Sequence, residues 1–521
     1  MRKLCVVVVA VLALLALTVG TASAQDARAV LQAASKAMGN LKAVQITGTG
    51  WNAGVGQSFS PEEDWPRFEV TRYVRTIDYD ARSSREEFTR RQGNYPPRGG
   101  GGTPIQGEQQ QVFIVSGNSA WNVVDGKPVP QPGLYLAGLP LAEFRALDIL
   151  LTPHGFLRAA QAASPAPTAI SLTLGSPTGA VTPNGKQTLV SFTAMGKYKV
   201  VGTFDDQNLL AMVHTWIPNP VYGDMLYELR YTNYKDFGGV KFPTTLHIHQ
   251  GDPRLSVAHN SMEITLTNVQ PNISVPAITV PAEVQKATAP PVRAESQKLA
   301  DGIWLVAGGT HNSLAVDFRD FVTVIEAPLN EERSLAVLAE VSRLIPNKPI
   351  RYIVNTHHHF DHSGGLRTYL AQGATVITHQ ANKEFLENVL FSPGARTMMP
   401  DRFSTYYPYF SGGRRPLPIE AVNQKYVISD GVRTIDLHPM QGLNHHGGML
   451  IVYFPKEKIL VNADLYTPPA QGAPAPAPNA SMRSLRQNIQ RLRLDVLQHV
   501  PIHGQPGPAD QFVKIVGTQT N

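Results

Sequence analysis

The stretch "NTHHHFDHSGG", Asn355 to Gly365, decides how this chain is read. It places four histidines and one aspartate within six positions, His357 to His362. The residues before it, "IRYIVNTH", read as a strand, so the cluster sits on a loop leaving a strand end. His357 and His359, two apart, can aim two imidazoles at one point. Asp361 and His362 are adjacent and can face a second point a few ångströms away. Imidazole and carboxylate donors suit zinc best, and iron or manganese are also acceptable. Gly364 and Gly365 let the backbone turn tightly beneath such a site.

Strands and helices alternate around this motif, which calls for an α/β layer architecture. "FVTVIEAP" is a strand. "EERSLAVLAEVSRLI" is a helix with Leu335, Leu338, Val341 and Ile345 on one face. "GMLIVYFPKEKILVNAD" is a hairpin turned at Pro455 to Lys458. "LRQNIQRLRLDVLQHV" sets Leu485, Ile489, Leu492 and Val496 at helical spacing.

The set His357, His359, Asp361 and His362 matches the H-x-H-x-D-H signature of the metallo-β-lactamase superfamily. Downstream, His445 in "GLNHHGGMLIVYFP", Asp464 in "ILVNADLY" and His503 in "PIHGQP" follow in that family's order. His446 is the alternative to His445. Residues 296–521 therefore resemble a metallo-β-lactamase-fold hydrolase domain, an αβ/βα sandwich with metals at one edge. The resemblance implies that His357, His359 and His445 hold one metal. Asp361, His362 and His503 hold the other, and Asp464 bridges them. Two Zn²⁺ are the implied cofactors, with iron or manganese as alternatives. A bridging hydroxide is the implied nucleophile, and Asp361, through a free oxygen, the catalytic proton shuttle. Glu326 stands where the family usually has an aspartate. It is expected either to orient a ligand or to end a strand in solvent. His311 and Asn312 line the pocket or sit as satisfied loop residues.

Many β-lactamases of this fold use a cysteine at the position of Asp464. The single cysteine here is Cys5. Asp464 therefore points to an ester, lactone or thioester hydrolase. β-Lactam, sulfate-ester and phosphodiester cleavage are the alternatives within the fold. Outside it, the alternative is a metal-containing binding protein for an apolar ligand. In "MMPDRFSTYYPYFSGGRRP", the aromatics and arginines around Tyr406 and Tyr407 are expected either to cover the metal edge or to pack the loop. Tyr466 is a candidate substrate tyrosine.

Residues 25–285 read as a mostly β N-terminal domain. It opens with a helix from Ala27 to Met38, followed by alternating strands such as "RFEVTRYVRTIDYD". "YELRYTNYKDFGGVKFPTTLHIHQ" reads as two strands around Gly238-Gly239. "LKAVQITGTG" and "YTNYKDFGGVKFPTTL" resemble the β half-barrel of lipoprotein carriers. "PPRGGGGTP" (96–104) reads as a flexible loop. The Pro- and Ala-rich stretch 286–295 is the linker, and residues 296–521 are expected to fold and act without the first half.

The first residues, "MRKLCVVVVAVLALLALTVGTASAQ", carry a basic start, an apolar run and an A-x-A cleavage signal. Residues 1–24 are read as a signal peptide, implying a periplasmic or secreted protein without stable membrane insertion. Cleavage removes the only cysteine and lowers the net charge from +6 to +4. That is too mild for a nucleic-acid partner, so a small molecule is expected. Oligomeric state is not legible.

Overall fold

The computed structural model describes residues 22–173, 186–251, 259–390, 396–406, 418–470 and 472–517. The first half builds one fourteen-stranded antiparallel sheet. From the central strand Ala43–Ala53 the chain meanders outward to the edge strand Lys127–Pro130. It returns through the helices Leu141–Leu151 and Pro153–Ala162. A second meander runs from Thr168–Thr173 to His259–Pro271, and the last strand pairs with Ala43–Ala53. The helix Ala27–Met38 buries Val30, Leu31, Ala34 and Met38, a 3–4 residue spacing that marks one helical face. Gly238 and Gly239 turn the hairpin between Gly223–Asp236 and Lys241–Gln250 with positive φ at both.

The second half is a sandwich of a seven-stranded and a six-stranded sheet. In the first sheet the antiparallel strands up to Val322–Ile325 are followed by parallel Ile350–Val354, Thr375–His379 and Ile419–Val422. Parallel pairing requires crossovers, and Glu331–Leu344 supplies the first. The two sheets face each other across Ile303, Leu305, Leu314, Ile325, Val354, Leu437, Leu450, Val452 and Leu460. Together the halves form the mostly β domain followed by an αβ/βα sandwich that the sequence led us to expect.

Several local expectations need correction. The helix Glu331–Leu344 buries Arg333, Ser334, Val337 and Val341, whereas Leu335 and Leu338 are only half-buried. Arg333 is admitted because its guanidinium donates to the carbonyls of Arg293, Val306 and His311. The helix Ala480–Leu492 ends at a left-handed Arg493, so Val496 lies beyond it. Tyr466 is buried against His499 and Phe512 in the core of the sandwich. Tyr407 and the side chain of Tyr406 lie outside the described residues. The described part of that loop packs down: Arg396 donates to the carbonyls of Pro220 and Val221, and Arg367 pairs with Asp401.

The two halves, expected to act independently, pack against each other. One continuous core joins Trp65, Val221 and Tyr222 of the first half to Phe360, Leu366, Phe385 and Leu386 of the second. Phe360, inside the histidine motif, packs edge-on against Trp65 and Tyr222. Gly56 has φ +76°, and a Cβ there would lie 2.4 Å from the Phe360 ring. Only glycine lets the first half approach this closely.

Candidate metal centre

The motif residues leave the strand Ile350–Val354 at one edge of the sandwich. His445 precedes the strand Leu450–Phe454, Asp464 follows Ile459–Asn462, and His503 follows Gln498–Pro501. Two groups of ligand-type atoms form there, each lying within 4.8 Å of one another. One comprises His357, His359, His445 and Asp464; the other comprises His311, Asp361, His362 and His503. The structure thus brings together all seven residues singled out from the sequence and adds His311. Asp464 lies between the groups. Its Oδ2 is 3.2 Å from His357 Nε2, 3.0 Å from His362 Nε2 and 3.1 Å from His445 Nε2. Its Oδ1 is 2.9 Å from His503 Nε2.

The surrounding hydrogen bonds set the imidazole tautomers. His359 Nε2 donates to the Ser58 carbonyl at 2.8 Å, leaving Nδ1 as a lone pair. His362 Nδ1 donates to Glu326 Oε2 at 2.5 Å, and His503 Nδ1 donates to the Thr310 carbonyl at 3.0 Å. In its neutral form each ring then presents an Nε2 lone pair, and these two atoms lie 3.4 Å apart. His445 Nε2 is buried and has no hydrogen-bond donor. Lone pairs and carboxylate oxygens converging in a buried site need a cation, so this donor set fits a divalent metal.

The electrostatics agree. Burial opposes charge on His362, yet Asp464, Asp361 and Glu326 outweigh it and hold its pKa well above the ordinary range. Burial also opposes charge on Asp464, but His362 and His445 keep its pKa well below the carboxylate range. Burial, reinforced by His445, pushes His359 down to about 3. The carboxylates demand positive charge that only some of the rings can supply as protons.

His446 faces away from this convergence. Its Nδ1 accepts from the Gly448 N–H at 2.8 Å, which puts its proton on Nε2. That proton goes to His358 Nδ1 in a buried contact, and His358 Nε2 in turn donates to Ser58 Oγ at 3.0 Å. Glu326 is fully buried and also accepts from the Thr356 N–H at 2.7 Å, so it orients His362 and does not end in solvent.

Composition gave no sign of the layer contributed by the first half. Gln57 Nε2 donates to Asp361 Oδ1 at 2.8 Å, so the oxygen expected to be free already holds a partner. Gln57 Oε1 accepts from the Gly101 N–H. The loop 96–104 is seated here: Gly99 donates to the Asn444 carbonyl, and a Cβ on Gly100 would meet Gln57 Oε1 at 2.0 Å. The glycine run in "PPRGGGGTP", read only as flexible, is the one local signal of this close approach. A cleft of about 1090 Å³ opens over the site, lined by Gln57, Arg90, Thr103, Asp361, Asn479 and Arg483 among others.

Residues 306–498 match the model of the metallo-beta-lactamase superfamily. A curated relative, the 2,4-dinitroanisole O-demethylase subunit alpha of Nocardioides sp. (strain JS1661), is 24% identical over 206 residues. That match covers 39% of this chain and 55% of the relative, so the chain spans about half the length of the relative. Among solved structures, a metallo-beta-lactamase from Pontibacter korlensis is 17% identical, with a TM-score of 0.31, covering 44% of this chain and all of that one. The metallo-beta-lactamase FIM-1 from Pseudomonas aeruginosa, in a mono-zinc form, is 17% identical with a TM-score of 0.30, covering 42% and 92%. With the family match spanning the motif and the sandwich strands around it, the C-terminal domain of this chain belongs to the metallo-beta-lactamase superfamily.

Proposed function

We propose that the chain is an exported dinuclear metal-dependent hydrolase of small esters, lactones or thioesters. His357, His359 and His445 hold one divalent ion; Asp361, His362 and His503 hold the other, with His311 beside it; Asp464 serves both. The observation that carries this reading is the Asp464 carboxylate, within 3.2 Å of four imidazole nitrogens drawn from both groups. Zinc suits the donors. When bound, such a pair supplies Lewis acidity and a water acidified to near neutrality. The chain's own part is orientation and proton handling. Glu326, Thr310 and Ser58 hold three rings in the ligand tautomer. Asp361 accepts the proton, at an oxygen that Gln57 keeps in place.

The cleft has room for a drug-sized molecule. Arg90 and Arg483 favour a substrate with a carboxylate. Export rests on the leader alone. Residues 22–25 form an edge strand paired with 169–172, and cleavage before Gln25 would remove most of it.

The test is a hydrolysis panel run beside metal analysis. It includes lactones, thioesters, carboxylate esters, β-lactams, sulfate esters, phosphodiesters and 2,4-dinitroanisole, the compound for which the matched relative is named. Turnover of the ester class should vanish on chelation and return with zinc. Preferential turnover of another class overturns the substrate assignment. Fewer than one metal equivalent after reconstitution overturns the centre itself.

A further inference from the structure

A separate histidine pair lies on the N-terminal sheet. His247 and His249 are two apart on Lys241–Gln250 and so share a face. Across the strand pairs, His247 is opposite Glu263, while His249 is opposite Glu228 on one side and Asn260 on the other. Asn260 and Glu263 are three apart and would ordinarily face opposite sides of a strand. A register shift between Ile248 and His249 brings both to the histidine face. Bulges of this kind re-aim side chains.

The hydrogen bonds then settle the tautomers. His247 Nδ1 lies 2.8 Å from Glu263 Oε2, and His249 Nδ1 lies 3.3 Å from Glu228 Oε1. Carboxylates only accept, so both Nδ1 atoms carry protons. Both Nε2 atoms of the neutral rings are then lone pairs, yet they lie 2.8 Å apart. Asn260 Oδ1 is a third acceptor, 2.9 Å from His247 Nε2. The Asn260 amide is held this way round because Asp64 accepts from its other end. Three lone pairs aimed at one another repel unless a cation sits among them. Arg230 pairs with Glu228, whereas Glu263 meets His247 itself, adding negative charge beside the rings.

We propose that His247, His249 and Asn260 form a second metal site, for a tetragonal divalent cation such as Cu²⁺, with Glu263 and Glu228 holding the two imidazoles in the ligand tautomer. Metal-bound histidines commonly place their other N–H on such a carboxylate. With metal–nitrogen bonds of about 2.0–2.1 Å, the 2.8 Å separation corresponds to a ligand–metal–ligand angle of roughly 85–90°. That is near the angle of about 90° of a tetragonal ion and far from the tetrahedral value of about 109°. The cation lies to one side of the line between the two nitrogens and replaces a single proton shared along that line. Solvent reaches it, since His247 and His249 remain about one-fifth exposed, at 20% and 19%.

The full-length protein is first loaded with zinc, then titrated with Cu²⁺ by calorimetry, with zinc release followed by elemental analysis. Copper EPR reads nitrogen coupling. The expected result is one copper equivalent bound without zinc loss, with coupling to two nitrogens. H247A/H249A should lose that equivalent while hydrolysis is unchanged. E263Q, which keeps both ligands but disturbs the tautomer, should weaken copper binding by about 10- to 100-fold. Copper uptake and spectra identical in wild type, H247A/H249A and E263Q would overturn the site, leaving a proton shared between the rings. Should the double variant not fold, the wild-type spectrum and E263Q decide. Absence of two-nitrogen coupling, or unaltered affinity in E263Q, overturns the proposal equally.

Discussion

Replacing Glu326 by glutamine tests the centre at its least visible support. The carboxylate is fully buried, and its two oxygens receive two donors, His362 Nδ1–H at 2.5 Å and the Thr356 N–H at 2.7 Å. A glutamine has one acceptor end and one donor end, so one of these contacts must face an N–H group. If the amide nitrogen faces His362, the ring must move its proton to Nε2, and the lone pair aimed at the metal disappears. If it faces Thr356, a buried backbone N–H loses its acceptor, which costs roughly 1–3 kcal/mol. Losing a carboxylate partner of a metal-binding histidine typically weakens metal affinity by about 10- to 100-fold, equivalent to roughly 1.4–2.7 kcal/mol. The assay is zinc competition against a chelator of known affinity at fixed pH, with thermal unfolding of the metal-free protein in parallel. We expect the weaker zinc affinity to fall on one of two equivalents, because Glu326 touches His362 alone among the candidate ligands. Affinities unchanged within twofold for both equivalents, with unchanged unfolding, would refute the orienting role.

Three further outcomes are expected. Asp361→Asn should abolish turnover while retaining most of the metal, because asparagine keeps a coordinating oxygen but cannot take up a proton; activity falling only in step with metal content would remove that role. Residues 296–521 expressed alone should be insoluble or unable to retain metal, and Phe360→Ala in the full chain should cost about 3–5 kcal/mol in denaturant unfolding; a soluble, metal-retaining fragment would show that the shared core is dispensable. His154 is buried and its pKa is pushed down to about 4, chiefly by desolvation. The unfolded chain then binds the extra proton first, so stability should fall as pH drops from about 6.5 to 4, by roughly 3 kcal/mol from this residue. His154→Gln should flatten that part of the pH–stability curve, and an unchanged slope would exclude His154 as its source.

The chemistry of the centre was legible in the sequence because it is local. Four ligands fall within six positions after a strand, and each remaining ligand sits at the end of a strand with its own alternating or apolar signature. Strand ends gather at one edge of a sandwich, so order along the chain implied proximity in space. Only the tertiary structure could settle what depends on contacts between distant segments. His445 and His446 are adjacent, and which one turns inward is decided by the Gly448 N–H and by His358. Glu326 reads equally well as a solvated strand end until His362 and Thr356 are seen to bond to it. Gln57 lies 304 positions from Asp361 and has no local pattern to mark it. The packing of the second half on the first was likewise hidden, because a Pro-rich linker records where the chain is free and not where the surfaces it joins pack together. Tautomer, orientation and interface are properties of packed neighbours, and sequence periodicity carries no record of them.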